Sequence, residues 1–303
     1  MKHKLIVLLL TFCFVLSAQN IRIISQYELP LKNIKSAHYP TLNEDGNLLL
    51  FSSESYRGLY LCNLETKEVK NISEDQNAGY LPAFSNDNSK VFFRNTTFEN
   101  GRRYDALESA DIRTNSRQQM IKPQRNLRAA RSYQNGAIVL ADNKLYKTTF
   151  GRTKADIPVY ISSENLKIYV YISGRRTLIN PLGGENTNYI WASLSPDDTR
   201  ILFTATGKGT YICDLKGKII SSLGYLNAPV WYNDRFVVGM QDKDDGQFIT
   251  SSQVIMISAD GKFKKPISHP DHIAVYPTAS SKAGRIIYGT PEGKLIVTEL
   301  SVN

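Results

Sequence analysis

Two scarcities frame this chain of 303 residues. It has only 3 cysteines, far below the density of a disulfide scaffold, so a folded state must rest on a buried apolar core. Long apolar runs are also missing. Beyond the first 18 residues, no stretch is long enough to cross a roughly 30 Å hydrocarbon layer. Familiar catalytic signatures are absent too: there is no Gly-x-Ser-x-Gly elbow, no P-loop and no dinucleotide fingerprint. A serine hydrolase of the elbow type and a nucleotide-phosphate enzyme are thereby set aside. The composition, 42% hydrophobic and 21% charged, is that of a globular protein.

What is present begins with a leader. Lys2 and Lys4 precede an apolar run over residues 5–16, followed by the small residues Ser17 and Ala18. This is the form of a cleaved secretory signal, with Gln19 opening the mature chain. An uncleaved anchor or a lipid on Cys13 is the competing reading, but Phe12 stands where lipidation needs a small residue. The expected organisation is therefore a signal peptide over residues 1–18 and one domain over residues 19–303. The expected place is periplasmic or secreted to the cell surface, with no transmembrane segment after signal removal. Removing the leader takes two lysines and no acid from the net +9, leaving +7. Residues 101–176 hold 15 Lys and Arg against 6 Asp and Glu. Such a field favours anionic partners, but solvated strand edges are the preferred explanation. No basic helix or RNA-binding signature accompanies it, so nucleic acid is not an expected partner.

One unit recurs along the chain: a short strand, a polar turn, then an apolar strand. It reads Tyr39-Pro-Thr-Leu-Asn-Glu-Asp-Gly, then Leu81-Pro-Ala-Phe-Ser-Asn-Asp-Asn, then a worn Ala129-Ala-Arg-Ser-Tyr-Gln-Asn-Gly. It returns as Trp191-Ala-Ser-Leu-Ser-Pro-Asp-Asp, Ala228-Pro-Val-Trp-Tyr-Asn-Asp and Tyr276-Pro-Thr-Ala-Ser-Ser-Lys-Ala-Gly. Asp, Asn and Gly suit such hairpins because they accept or cap a left-handed backbone. A second half follows, as in Gly58-Leu-Tyr-Leu-Cys-Asn-Leu and Gly209-Thr-Tyr-Ile-Cys-Asp-Leu. Four antiparallel strands at a period of forty-odd residues describe one blade of a β-propeller. The steps between turns are 42, 48, 62, 37 and 48 residues. The long step reads as one blade with a hairpin inserted over residues 144–163, and Lys167–Ile172 then serves as a third strand. The expectation is an all-β, six-bladed propeller. The alternative is seven blades, with Pro158-Val-Tyr-Ile-Ser-Ser-Glu-Asn opening the extra one. The mature N-terminal strand is expected to close the ring against the C-terminal strand. Cys62 and Cys213 fall at equivalent third-strand positions, too far apart to bridge.

At these residues the chain resembles the TolB-like propellers with PD40, or WD40-like, repeats, through Ser195-Pro-Asp-Asp and its relatives. The resemblance runs over residues 21–303. It implies a compact secreted propeller of the Gram-negative envelope.

In a propeller the links between blades and the loops between second and third strands share one face. That face should carry the ligand-binding candidates His38, Tyr39, Tyr80, Arg128, Tyr189, Trp191, Trp231, His272 and Tyr276. Such rings stack on sugars or grip a peptide, unless they fill the core between blades. The loop Gly239-Met-Gln-Asp-Lys-Asp-Asp-Gly246 supplies Asp242, Asp244 and Asp245 as candidate hard-oxygen ligands for calcium, or else is a solvated turn. His38, His272 and Asp271 are a weaker candidate metal set. The expected function is a non-catalytic envelope scaffold that presents one face to an envelope protein or glycan. The alternative is a metal-dependent lyase or hydrolase acting on an anionic polysaccharide at the same face.

Overall fold

The structure, a computed structural model, describes residues 20–150 and 158–302. The leader expected over residues 1–18 lies outside the described residues. Among the described residues all regular structure is β-strand. The chain opens with β1 (Ile21–Glu28) and then builds blade 1 from β2 (His38–Leu42), β3 (Leu48–Ser52), β4 (Leu59–Asn63) and β5 (Val69–Ser73). Blade 2 is β6 (Ala83–Phe84), β7 (Lys90–Glu99), β8 (Arg102–Asp111) and β9 (Arg117–Gln124). Blade 3 is β10 (Arg131–Tyr133), β11 (Gly136–Ala141) and β12 (Lys144–Thr148). Blade 4 is β13 (Val159–Glu164), β14 (Lys167–Ile172) and β15 (Arg175–Ile179). Blade 5 is β16 (Tyr189–Leu194), β17 (Arg200–Ala205), β18 (Gly209–Asp214) and β19 (Ile219–Gly224). Blade 6 is β20 (Asn227–Asn233), β21 (Phe236–Asp244), β22 (Ile249–Ser258) and β23 (Lys264–Pro266). Blade 7 is β24 (Val275–Ser280), β25 (Arg285–Gly289) and β26 (Leu295–Val302), with β1 as its fourth strand.

The expected six blades are therefore corrected to seven. Residues 144–163 are not an inserted hairpin. Lys144–Thr148 is the third strand of blade 3, and Val159–Glu164 is the first strand of blade 4. Lys167–Ile172 is a second strand, not a third. The physical reason is that blades 3 and 4 show three strands each among the described residues. Their first turns sit at Asn135 and Asn165, so one 62-residue step hides two short repeats. The blade 4 turn uses Asn165 and Leu166, both left-handed, and so lacks the Ser-Pro-Asp form that marks its relatives.

Each blade's second strand is its most apolar, because it is covered on both faces. Val91, Phe92 and Phe93 of β7, and Ile201, Leu202 and Phe203 of β17, are fully buried. Burying each such side chain is worth about 1.5–3 kcal/mol. Neighbouring sheets share these clusters. Leu50 and Leu61 of blade 1 meet Phe84 and Val91 of blade 2, and Leu42 and Phe51 of blade 1 meet Ile287 and Val297 of blade 7. Strand β1 pairs with β26 from Ile21↔Val302 to Glu28↔Ile296, and Ile21 is buried in the blade 6–7 cluster. Cys62 and Cys213 are buried and unbridged.

The recurring Ser-x-Asp turn has a physical cause. In blade 5 the Ser195 hydroxyl donates to Asp197 at 2.6 Å and accepts from the Arg200 N–H at 3.0 Å. Asp197 also accepts from the Thr199 N–H and hydroxyl. Ser85 and Asp87 repeat the arrangement in blade 2. These carboxylates hold hairpins together on the face opposite the blade links.

Candidate functional site

The face of the blade links is marked by a repeated backbone distortion. Tyr39, Leu81, Trp191, Ala228 and Tyr276 all have left-handed backbones, with φ between 43° and 53°. All but Trp191 precede a proline. At Tyr39, Trp191, Ala228 and Tyr276 the strand pairing slips at the same point. Bulges of this kind bend a strand end and re-aim its side chain. For a bulky residue the left-handed region is an outlier, and about 1–3 kcal/mol of strain at each is held by the surrounding fold.

The distortion gathers aromatic rings across three blades. Tyr276 of blade 7 lies 5.1 Å from Tyr39 of blade 1. Tyr39 stacks on Tyr56 at 4.0 Å. Tyr56 meets Tyr80, on the link into blade 2, edge-on at 5.2 Å. The Arg94 guanidinium lies over the Tyr80 ring at 5.2 Å. The arc is fixed from behind: the Gly79 N–H donates to the Tyr56 carbonyl at 3.0 Å. A Cβ at Gly79 would lie 2.0 Å from the Ser52 hydroxyl, so only glycine permits that approach. Tyr80 and Tyr276 remain 39% and 40% exposed, which leaves ring surface for a ligand.

Arg94 anchors one end through a buried network. Its guanidinium donates to Asp105 at 2.7 Å, and the Thr96 hydroxyl donates to the same carboxylate at 2.5 Å. Burial pushes the Arg94 guanidinium below its ordinary value, and Asp105 opposes that shift. At the other end stands Asp242, whose two oxygens accept from the Asn227 amide at 2.9 and 3.1 Å. Burial pushes the Asp242 carboxyl up. The Tyr276 phenol is raised by burial and then by Tyr39 and Asp242. Burial and the Tyr39 hydroxyl push Tyr56 up as well. Both phenols are therefore neutral at pH 7 and keep an O–H that can donate a hydrogen bond.

The structure thus brings Tyr39, Tyr80 and Tyr276 together, while Tyr56 and Arg94 join them without having been singled out in the sequence. Arg128 lines a narrow crevice beside Tyr80 and Arg94. Trp191 holds the equivalent bulge position in blade 5 and is 39% exposed, but makes no ring contact with the arc. Tyr189 is fully buried in the core of blades 4 and 5, and its hydroxyl donates to Asn180. Trp231 sits toward the hairpin-turn face under the Arg200 guanidinium at 5.3 Å, and Arg200 in turn bridges to Asp197 and Asp234.

The two imidazoles have separate roles. His38 lies 6.0 Å from Tyr39, and burial lowers its pKa against the pull of Glu54. His272 Nδ1 is 3.1 Å from the Tyr288 hydroxyl, and Asp271 lies near His269 instead. In the acidic loop, Asp244 accepts from the Gly246 N–H, and Asp245 accepts from Gln247 and Phe248. Asp242 turns back on Asn227. Among the described residues no group of three or more His, Cys, Asp or Glu converges as a metal site.

A second concavity, about 310 Å³, opens near the hairpin-turn face between blades 1, 2 and 3. Its charged groups are already engaged: Glu44 pairs with Lys282 at 2.9 Å, and Arg131 donates to the Val159 carbonyl and Asp198. The arc is the better ligand candidate because its ring surface and polar tips are not fully used internally.

No family profile and no characterised protein sequence matches the chain. Several solved structures are similar in shape. A TolB from Acinetobacter baumannii matches at 18% identity and TM-score 0.47, over 76% of this chain; the chain spans only 53% of that protein's length. An oligogalacturonate lyase in complex with manganese matches at 12% identity and TM-score 0.50, covering 89% of this chain and 79% of the lyase. The propeller domain of Myceliophteria thermophila Cps50 (Swd1) matches at 9% identity and TM-score 0.60, covering 93% of this chain and all of that domain. The likeness to the Cps50 propeller domain establishes the β-propeller fold. No helix among the described residues is long and apolar enough to cross a membrane.

Proposed function

We propose that this chain is a non-catalytic binding propeller of the bacterial envelope, holding a protein or glycan partner across the arc from Tyr276 to Arg94. One observation carries the reading: Tyr39 and Tyr276, held left-handed at matching blade positions, bring their rings into one row with Tyr56 and Tyr80. Strain of that kind persists where a fold over-determines it, and it clusters at functional sites. Exposed tyrosines with neutral hydroxyls supply large contact area and directional hydrogen bonds, the usual profile of binding anchors.

The setting belongs to the same proposal. The leader over residues 1–18 sends a single domain, residues 19–303, to the periplasm or cell surface, and β1 closes the ring by completing blade 7. N-terminal sequencing that begins at Gln19 checks the processing. The binding role is tested by immobilising residues 19–303 beside a Tyr39→Ala/Tyr80→Ala variant and passing envelope extract over both. Retention of a protein or glycan by the wild type alone is the expected result. Equal retention by both proteins sinks the reading.

A second reading is a metal-dependent lyase or hydrolase acting on an anionic polysaccharide. It is favoured by Arg94 and Arg128 beside the rings and by the likeness to a manganese-bound oligogalacturonate lyase. Incubation with polygalacturonate and manganese, followed at the absorbance of the unsaturated product, separates the two. Turnover lost in His272→Ala would favour the enzyme.

A further inference from the structure

Blade 4 ends one strand early. In blades 1, 2, 5, 6 and 7 a fourth strand lies beside the third, and third strands such as β4 and β18 are buried or half-buried throughout. In blade 4 the third strand is β15, and no described residue pairs with its outer edge. Arg175, Arg176, Thr177 and Leu178 are all exposed, and only Ile179 is buried. Leu178 is 54% exposed. An edge of this kind presents unpaired N–H and C=O groups beside an apolar side chain, which is a template for one more strand.

Charge selects which strand. Residues 159–179 carry one acid, Glu164, against Lys167, Arg175 and Arg176. Glu164 is buried and already taken: it accepts from the Tyr171 hydroxyl at 2.8 Å and from Arg176 at 2.7 Å. Arg176 also lies over Tyr169, its guanidinium 3.6 Å from the ring centre. Lys167 donates to the Glu185 and Thr187 carbonyls. Arg175 has no carboxylate in ion-pair reach among the described residues. The edge thus keeps a positive charge with no ion-pair partner among the described residues. A second copy of β15 would bring more guanidinium charge to the same edge, whereas an acidic segment neutralises what is there.

We propose that the outer edge of β15 takes an extended acidic peptide segment as the fourth strand of blade 4. Main-chain hydrogen bonds hold the segment, a carboxylate pairs with Arg175, and an alternate apolar side chain covers Leu178. The site is separate from the aromatic arc and does not depend on it.

The probe is a fluorescein-labelled peptide of alternating Glu and Val, titrated by fluorescence anisotropy with protein spanning residues 19–303. A peptide of the same sequence with N-methylated backbone keeps every charge but cannot donate strand hydrogen bonds. The Glu–Val peptide is expected to bind saturably, and the N-methylated and Lys–Val peptides are not. Arg175→Glu should weaken binding about tenfold with an unchanged melting curve, and peptide should slow amide exchange over residues 175–179. Tyr39→Ala should leave this binding intact, which separates it from the arc. Equal binding of the N-methylated peptide, no binding of the Glu–Val peptide, an unaffected Arg175→Glu variant, or protection elsewhere would overturn the proposal.

Discussion

The rings of Tyr39 and Tyr56 stack with centroids 4.0 Å apart and planes 22° apart, although one belongs to an inner strand and the other to a loop between the second and third strands. The left-handed backbone at Tyr39 makes this meeting geometrically accessible. Replacing Tyr39 by Gly should therefore separate function from stability. It relieves about 1–2 kcal/mol of left-handed strain and forfeits an aromatic contact of about 1 kcal/mol. Melting temperature should change little, while partner affinity falls about 10- to 30-fold, as for a truncated anchor. A calorimetric melt with a parallel binding titration reads both, and a large loss of stability would show that the ring is chiefly structural.

Arg94 and Asp105 form a pair in which both side chains are nearly excluded from water. Asp105→Ala strands a buried guanidinium and should cost about 3–5 kcal/mol, lowering Tm by about 5–10 °C. The double change Arg94→Met/Asp105→Leu removes both charges and should recover most of that loss. It should still bind partner poorly, because the cation over Tyr80 is gone. Thermal melts of both variants decide the point, and an equally unstable double variant would contradict the buried-pair account.

The hairpin carboxylates give the fold an acid limit. Burial works against ionised Asp197, but hydrogen bonds from Ser195 and Thr199 and the nearby Arg200 prevail, drawing its carboxyl down to about 2. A folded value below the unfolded value means the contribution is complete above the ordinary 3.8. It is lost as pH falls from there toward about 2. Asp87 shifts in the same direction. Because the Asp197 side chain is 41% exposed, solvent screening holds its share to below about 1 kcal/mol. Urea midpoints taken from pH 5 to pH 2 should fall, and Asp197→Ala should flatten the slope. An unchanged slope would remove Asp197 from the acid response.

Deleting residues 19–28 tests the strand taken from the start of the chain. It uncovers the edge of β26 and removes Ile21 from the blade 6–7 core, at a cost of several kcal/mol of apolar burial. Tm should fall by about 10 °C, and the truncated protein should self-associate through the bare edge. A synthetic peptide of residues 19–28 added in trans should restore the melting curve. No recovery with peptide, or no loss on deletion, would argue against the strand as a clasp.

Strand polarity, the repeat and the face carrying Tyr39, Tyr80 and Tyr276 were legible because they depend on local rules: alternating burial, Asp and Asn turns, and the position of blade links. Blade number was not, because it depends on where strands stop. Asn165 and Leu166 make as good a hairpin as Ser195-Pro-Asp-Asp without resembling it. Tyr56 was missed because a ring in a loop gives no periodic signal. Arg94 did leave one: it is a charge inside the apolar run Val91-Phe92-Phe93, a placement that asks for a buried partner. Tyr189 and Trp231 mark the reverse error, since ring identity alone does not say whether a side chain points along the strand or into the sheet.

Pairing the first strand with the last has a kinetic meaning. Ile21 must wait for Val302, so nothing made early in synthesis can finish blade 7. Six blades have partners close in sequence and can assemble locally, but the seventh spans nearly the whole polypeptide. Non-local pairing of that kind slows folding. The nascent molecule therefore grows with β1 unmatched, and commitment to the native wheel is deferred until β26 has been made.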